Sequence, residues 1–202
     1  MYLVTTSHRP SQRMRSFVKD LASVLPGAVR VNRGKSTLYD LLLEAVERRL
    51  SRVLVVGGKR GNPSLIRVYR VVSAPGEERL EPLVSLVLGG VTLTRELRSF
   101  SRVYNPRTLG IQVPGGPEDL EHLADALYRA FKARLALDES RLDQYDIVVK
   151  LRKGEKGFLV FFMSPATGRP CGPILRVSRL VDHEKGLRVP GAGGRGGEAG
   201  GA

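Results

Sequence analysis

Tryptophan is absent from this chain of 202 residues, cysteine occurs once, and there are three histidines. The lone Cys171 excludes a disulfide framework and a cysteine-based zinc site. His8, His122 and His183 are far apart and none has ligand-type spacing, so no metal and no cofactor are expected. Aromatic residues make up only 6% of the chain, too few for the dense stacking platform of many single-strand binders. No apolar run is long enough to span a bilayer; the longest, Leu83 to Val91, is interrupted by Ser85, Gly89 and Gly90. The opening MYLVTTSHRP has no basic leader followed by an apolar stretch, as a secretory signal requires. An amphipathic helix with exposed aromatics and a lipidation motif are also missing. The expectation is a cytoplasmic protein with no membrane partner and no small-molecule substrate.

What the chain does have is positive charge, +13 overall with a pI near 10.5. Residues 1–107 hold 19 basic and 8 acidic side chains, a balance of +11, whereas residues 108–202 hold 14 and 12, a balance of +2. Charge serving solubility alone would be spread evenly. Concentration in one half is the pattern of a face that binds a polyanion.

Periodicity divides the chain into two similar halves. Tyr2 to Thr6 reads as a strand, and Ser7 or His8 precedes a helix with Pro10 in its first turn. Met14, Phe17, Val18, Leu21 and Leu25 form that helix's apolar stripe, which Pro26-Gly27 ends. Arg9, Gln12, Arg15, Ser16 and Lys19 fall on the opposite face. Val29 to Val31 is a second strand, and Thr37 with Asp40 forms a capping pair for a Leu-rich helix through Leu50. Strands follow at Arg52–Val56, Ile66–Val72 and Leu83–Leu88. The rhythm then repeats: strand Leu109–Val113, a helix opened by Gly115-Gly116-Pro117, and strands near Ile147–Leu151, Phe158–Phe162 and Ile174–Val181. Arg129, Lys132 and Arg134 read as cations at the end of that second-half helix. The expected fold class is α/β (α+β), each half packing helices on a mixed or antiparallel sheet. Residues 1–186 form the domain, divided near residue 107, and the Gly-rich 187–202 reads as a flexible tail in which Arg195 stands between glycine pairs.

Nine side chains are candidates for polyanion contact: Arg9, Arg13, Arg15 and Lys19; Arg30, Arg33 and Lys35; and Lys59 and Arg60. They lie in or beside arginine-rich loops at strand ends. Arginine's planar donor fork matches phosphate oxygens and stacks on exposed bases. Helix starts after Ser7 and Ser36 would add N–H donors. Gly34-Lys35-Ser36-Thr37 ends as a nucleotide-binding phosphate loop does, but Val29 stands where that loop needs its first glycine. Gly57-Gly58-x-x-Gly61 follows an apolar strand as a dinucleotide loop would, yet Pro63 and a strand-like run come next where a helix should begin. Ser164 and Ser178 lack a nearby histidine, and no acid/base pair stands out, so catalysis is not expected.

The run TTSHRPS (residues 5–11), the Leu21-x-x-x-Leu25-Pro26 ending, and Ala28-x-Arg30-x-Asn32-Arg33-Gly34-Lys35 together resemble the start of the Brix domain of ribosome-biogenesis proteins. Gly172-Pro173 followed by Leu175, Val177 and Leu180 is similar to that family's closing strand. His8 replaces an Arg common in the family, and the charged extensions of its eukaryotic members are missing, which resembles an archaeal version. The resemblance implies two halves akin to the anticodon-binding domain of class II aminoacyl-tRNA synthetases. It also implies binding of rRNA or precursor rRNA, alongside ribosomal or other assembly proteins, to assist processing and subunit assembly without catalysis. Three other readings stay open: a tRNA-binding module of the anticodon-domain type, a nucleotidase using Gly34-Lys35-Ser36, and a protein-only scaffold without salt-sensitive RNA affinity.

Overall fold

Burial along the first strand, β1 (Tyr2–Thr6), is complete at all five positions, as expected of a parallel strand covered on both faces. The computed structural model describes residues 1–74, 76–113, 115–136 and 139–191. Helix α1 (Gln12–Val24) buries Met14, Phe17, Val18, Leu21 and Val24. It starts later than the sequence predicts, because Ser11 is the cap: its Oγ accepts the Met14 N–H at 3.2 Å. Arg9, with φ of 51°, cannot belong to a right-handed helix. After β2 (Ala28–Arg30), helix α2 (Leu38–Glu47) opens with the expected capping pair, each of Thr37 and Asp40 accepting the other's N–H. Strands β3 (Arg52–Lys59), β4 (Asn62–Ala74) and β5 (Glu77–Thr92) complete the first half.

Residues 93–108 lead to the second half: β6 (Leu109–Gln112), α3 (Glu118–Ala130), β7 (Arg134–Ala136), a 3-10 segment (Glu139–Gln144), β8 (Ile147–Gly154), β9 (Gly157–Ser164), β10 (Arg169–Pro170), β11 (Ile174–Asp182) and β12 (Leu187–Pro190). The described strands form one sheet of twelve, ordered β2-β1-β3-β4-β5-β11-β9-β8-β6-β7, with β10 on β9 and β12 on β11. This order is the same read from either end. β1 runs parallel to β2 and β3, as β6 does to β7 and β8, and antiparallel strands continue inward to the β5–β11 joint. The halves therefore join edge to edge in a mixed α+β sheet with three helices.

Strand alternation assigns the faces. One core lies under α1 and α3 and includes Phe17, Phe131, Phe158 and Phe162, all fully buried. Truncating any of these rings would cost about 3–5 kcal/mol. Leu3 and Val53 point the other way, packing with Leu41 and Ala45 of α2. Ala136, Tyr145 and Val148 form a smaller cluster with Leu142 of the 3-10 segment. Each sheet-crossing helix also touches the opposite half. A Cβ on Gly172 would lie 2.6 Å from Val24 Cγ1 of α1. From β1, the Tyr2 hydroxyl donates to the Phe131 carbonyl just after α3.

Two expectations need correction. The chain does not leave the fold at residue 186: β12 pairs with β11, Val189 is buried, and the Gly191 N–H donates to the Ser178 carbonyl at 2.9 Å. Alternation of Leu187 and Val189 supplies one apolar edge, which the glycine-rich composition conceals. Residues 192–202, including Arg195, lie outside the described residues. Arg134 is not at a helix end either. Helix α3 stops at Ala130, Lys132 takes φ of 41°, and Arg134 begins β7.

Candidate nucleic-acid interface

Because β2, β1 and β3 are adjacent and parallel, their carboxyl ends emerge on one rim of the sheet, the edge at which open α/β sheets bind ligands. Three loops leave that rim and are tied together by hydrogen bonds. The Ser7 N–H donates to the Val56 carbonyl at 2.7 Å, and Thr5 Oγ1 donates to the Val31 carbonyl at 2.8 Å. His8 Nδ1 lies 3.1 Å from the Gly34 carbonyl, which makes the ring nitrogen the donor. Ser11 Oγ donates to the Gly61 carbonyl at 2.5 Å. The stretches around Arg9, Arg33 and Arg60, distant in sequence, are thus neighbours.

Seven of the nine predicted cations are exposed: Arg9, Arg15, Arg30, Lys35, Lys59 and Arg60 about the rim, and Lys19 further along α1, at a second cleft. Arg9, Arg15, Arg30 and Arg33 line a cleft of about 430 Å³ with Thr6, Asn32 and Gly34, and among the described residues no carboxylate lines it. Guanidinium groups gathered without a counter-ion repel one another and present a focused positive field.

The other two are placed differently. Arg13 forms an ion pair with Glu96 and donates to the Val91 carbonyl at 3.1 Å, so its fork is already filled. Donation from Arg13 to Glu96 holds the Glu96 carboxyl below its ordinary range. Arg33 is only 7% exposed, and its Nε and Nη1 are buried without a hydrogen-bond partner. Burial lowers its pKa, with Tyr69 and Asp40 acting in the opposite direction. Arg33 therefore supports the loop floor as a desolvated cation, whereas Arg9, Arg15 and Arg30 face solvent.

Lys59 and Asn62 pair across a two-residue hairpin whose central residues, Arg60 and Gly61, have φ of 50° and 79°. The dinucleotide-like glycines therefore belong to a hairpin. A turn with two positive φ values favours Asn-Gly, so an arginine at its first position is conformationally costly. Arg60→Asn separates conformation from charge: thermal stability should hold or rise, while affinity for RNA falls severalfold. Loss of both together would mean that Arg60 serves the turn alone.

The Gly34-Lys35-Ser36-Thr37 run does not wrap an anion. Val29 pairs with Leu3 inside the sheet, the Ser36 N–H closes a turn on the Arg33 carbonyl at 2.9 Å, and the start of α2 is capped by its own Thr37 and Asp40. A Ser85–His183 contact of 2.9 Å joins β5 to the end of β11. The neighbouring Asp182 is taken up by Arg129 and by the N–H groups of Glu184 and Lys185. Among the described residues no His/Cys/Asp/Glu group could hold a metal ion, and no helix is long and apolar enough to cross a membrane. One part of the basic surface escapes sequence reasoning. Arg30 also borders a second cleft that carries Arg107, Lys132 and Arg134 from the other half.

A protein from Aeropyrum pernix, named a probable Brix domain-containing ribosomal biogenesis protein, is 37% identical over 204 residues, covering 92% of this chain and 100% of its own. The chain belongs to the Brix-domain family of ribosome-biogenesis proteins. No protein-family model matches it. The crystal structure of a probable ribosomal biogenesis protein from Aeropyrum pernix shares 38% identity with this Brix-domain chain at a TM-score of 0.69, covering 87% of this chain and 94% of that one. The structure of Mil, an archaeal Imp4-like protein, is 26% identical with a TM-score of 0.64, over 90% of this chain and 99% of its own. The Brix signature read at Thr5–Ser11 and Ala28–Lys35 agrees with this membership. In three dimensions those two segments are the first two loops of the rim.

Proposed function

We propose that this Brix-domain protein binds precursor rRNA through the rim at the carboxyl ends of β2, β1 and β3, and assists rRNA processing and subunit assembly by binding, without catalysis. The observation that carries this reading is the convergence of Arg9, Arg15 and Arg30 on one cleft without a carboxylate, held by hydrogen bonds between loops. Exposed arginines gain charge-assisted hydrogen bonds to phosphate oxygens while losing little hydration. Counter-ion release then drives association. The polyanion follows from the charge; the ribosome follows from the family. Contacts of this kind fix an RNA segment in one conformation, which is the physical content of assisting assembly. Other assembly proteins are expected on the same particle.

Ultraviolet crosslinking of the full chain in cells, followed by sequencing of the attached RNA, tests the reading. Reads should concentrate in rRNA and its precursors. Reads dominated by tRNA would assign the rim to an anticodon-domain-type role, and absence of crosslinked RNA would remove the nucleic-acid reading altogether.

A further inference from the structure

Most cations of this molecule that lie near carboxylates are paired with them: Arg48 with Glu44, Arg70 with Glu81 and Glu184, Arg79 with Glu77 and Glu81, and Arg129 with Asp125, Asp182 and Glu184. The cleft between the two halves is built otherwise. It holds about 1070 Å³ and is lined by Lys19, Arg30, Arg107, Lys132 and Arg134, with no Asp or Glu in its wall among the described residues. All five cations are exposed. Two acidic groups adjoin the cleft, and backbone donors occupy both. Asp20 accepts the Thr94 N–H at 2.8 Å, and Asp146, which feels the Arg107 charge, accepts the N–H groups of Arg107 and Thr108 at 2.8 and 3.0 Å. Five like charges around one concavity cost stability through mutual repulsion unless an anion joins them.

A second observation narrows the anion. Tyr104 borders the same cleft and is 76% exposed, the most exposed large apolar side chain among the described residues. It follows Val103, which packs on the main core, and precedes Asn105, whose φ is 47°. The turn thus anchors the backbone while presenting the ring to solvent. An aromatic face beside phosphate-binding cations is the elementary unit of single-strand recognition, in which each base offers a π-face and each linkage a charge. A single ring is not a dense platform, and it serves one base.

We propose that this cleft takes a short unpaired segment of RNA, with Tyr104 stacked on one base and Lys19, Arg30, Arg107, Lys132 and Arg134 holding the flanking phosphates. The proposal rests on the rRNA-binding reading and adds to it a path for the strand between two clefts. Arg30 lines both clefts, and on α1 Arg15 faces the first while Lys19 and Ser23, four and eight residues on, face the second. One helical face, rising about 6 Å per four residues, leads from the rim to the joint between the halves. A duplex cannot offer an unstacked base to Tyr104, so the cleft selects single strands or loops.

The chain has no tryptophan, so Tyr104→Trp creates a single indole reporter at this exposed position. Titration with a single-stranded oligoribonucleotide should quench its fluorescence saturably, and the same sequence as a duplex should not. Adding Arg107→Ala and Arg134→Ala should weaken the single-strand titration about tenfold. RNA binding, seen by electrophoretic shift, without quenching would overturn the cleft assignment and leave the rim intact. Equal quenching by duplex would overturn the selectivity for unpaired RNA. Failure of the wild-type chain to bind any RNA would overturn the rim reading as well.

Discussion

Replacing Arg9, Arg15 and Arg30 together by Ala lowers affinity for single-stranded rRNA segments by about two orders of magnitude or more near ~0.15 M salt. Each charge-assisted contact contributes roughly 1.5–3 kcal/mol when made, part of which the variant recovers by rehydrating the cleft. The salt dependence is the more diagnostic readout. About six phosphates held by the exposed rim cations give a log–log slope of roughly −4, and removing three makes it shallower by about 2. The same substitution at Arg13 should leave the slope unchanged, since that guanidinium is already spent on Glu96 and the Val91 carbonyl. Because the three side chains are exposed, the triple variant keeps the fold, and a normal melting temperature is part of the expected result. An unaltered slope would remove the rim from the interface.

Arg129→Met is expected to have the largest effect on stability of any surface-proximal substitution in the second half. Arg129 reaches out from α3 to Asp125, to Asp182 in β11 and to Glu184, and the Asp182 side chain is only 3% exposed. Removing the cation leaves a buried carboxylate without its main partner, which costs about 3–5 kcal/mol. The N–H groups of Glu184 and Lys185 still donate to it, which places the loss near ~3 kcal/mol and the fall in Tm at about 6–12 °C for a chain of this size. The pH dependence carries a definite sign. Burial alone would raise the Asp182 pKa, but hydrogen bonds from Arg129 and from the two N–H groups outweigh it and hold the carboxyl below its ordinary value. Its contribution is therefore fully present above the unfolded-state pKa of about 4 and is lost as pH falls through the lower folded value. In the variant, burial loses its main counterweight. Thermal melts of both proteins should show a gap that is wide at pH 7 and narrows as pH falls from about 4 through the lowered folded-state value of Asp182. A gap of constant width would mean that Arg129 acts by packing alone.

How much of this could be read from residues alone depended on how local the signal was. The stripe Met14-Phe17-Val18-Leu21 and the Thr37/Asp40 pair are set within one or two helical turns, and both are found where the sequence places them. Segment β7 was not legible: three residues with only Ala136 buried carry no periodicity, and the cations before them read as a helix end. Strand β12 was hidden by the glycines beyond it. The site divides in the same way. Arginine-rich loops are visible as composition, and their convergence follows once β2, β1 and β3 are parallel neighbours. Whether a given arginine is free is a long-range fact. Arg13 meets Glu96 across 83 positions, and Arg33 is enclosed by residues from other elements, so no window of sequence distinguishes them from Arg9 or Arg15. The cleft between the halves was invisible for the same reason, since its cations come from both halves and meet only because β5 pairs with β11.

The crosslinks that identify the RNA also identify the protein residues that hold it, and mapping them by mass spectrometry on the wild-type chain is the most direct measurement of whether scattered N-terminal arginines act as one grip. Nucleotide-bearing peptides should include residues 7–15, 30–35 and 59–61. Crosslinks confined to the other half of the sheet, such as the β8–β9 hairpin with Lys150, Arg152 and Lys153, would contradict it.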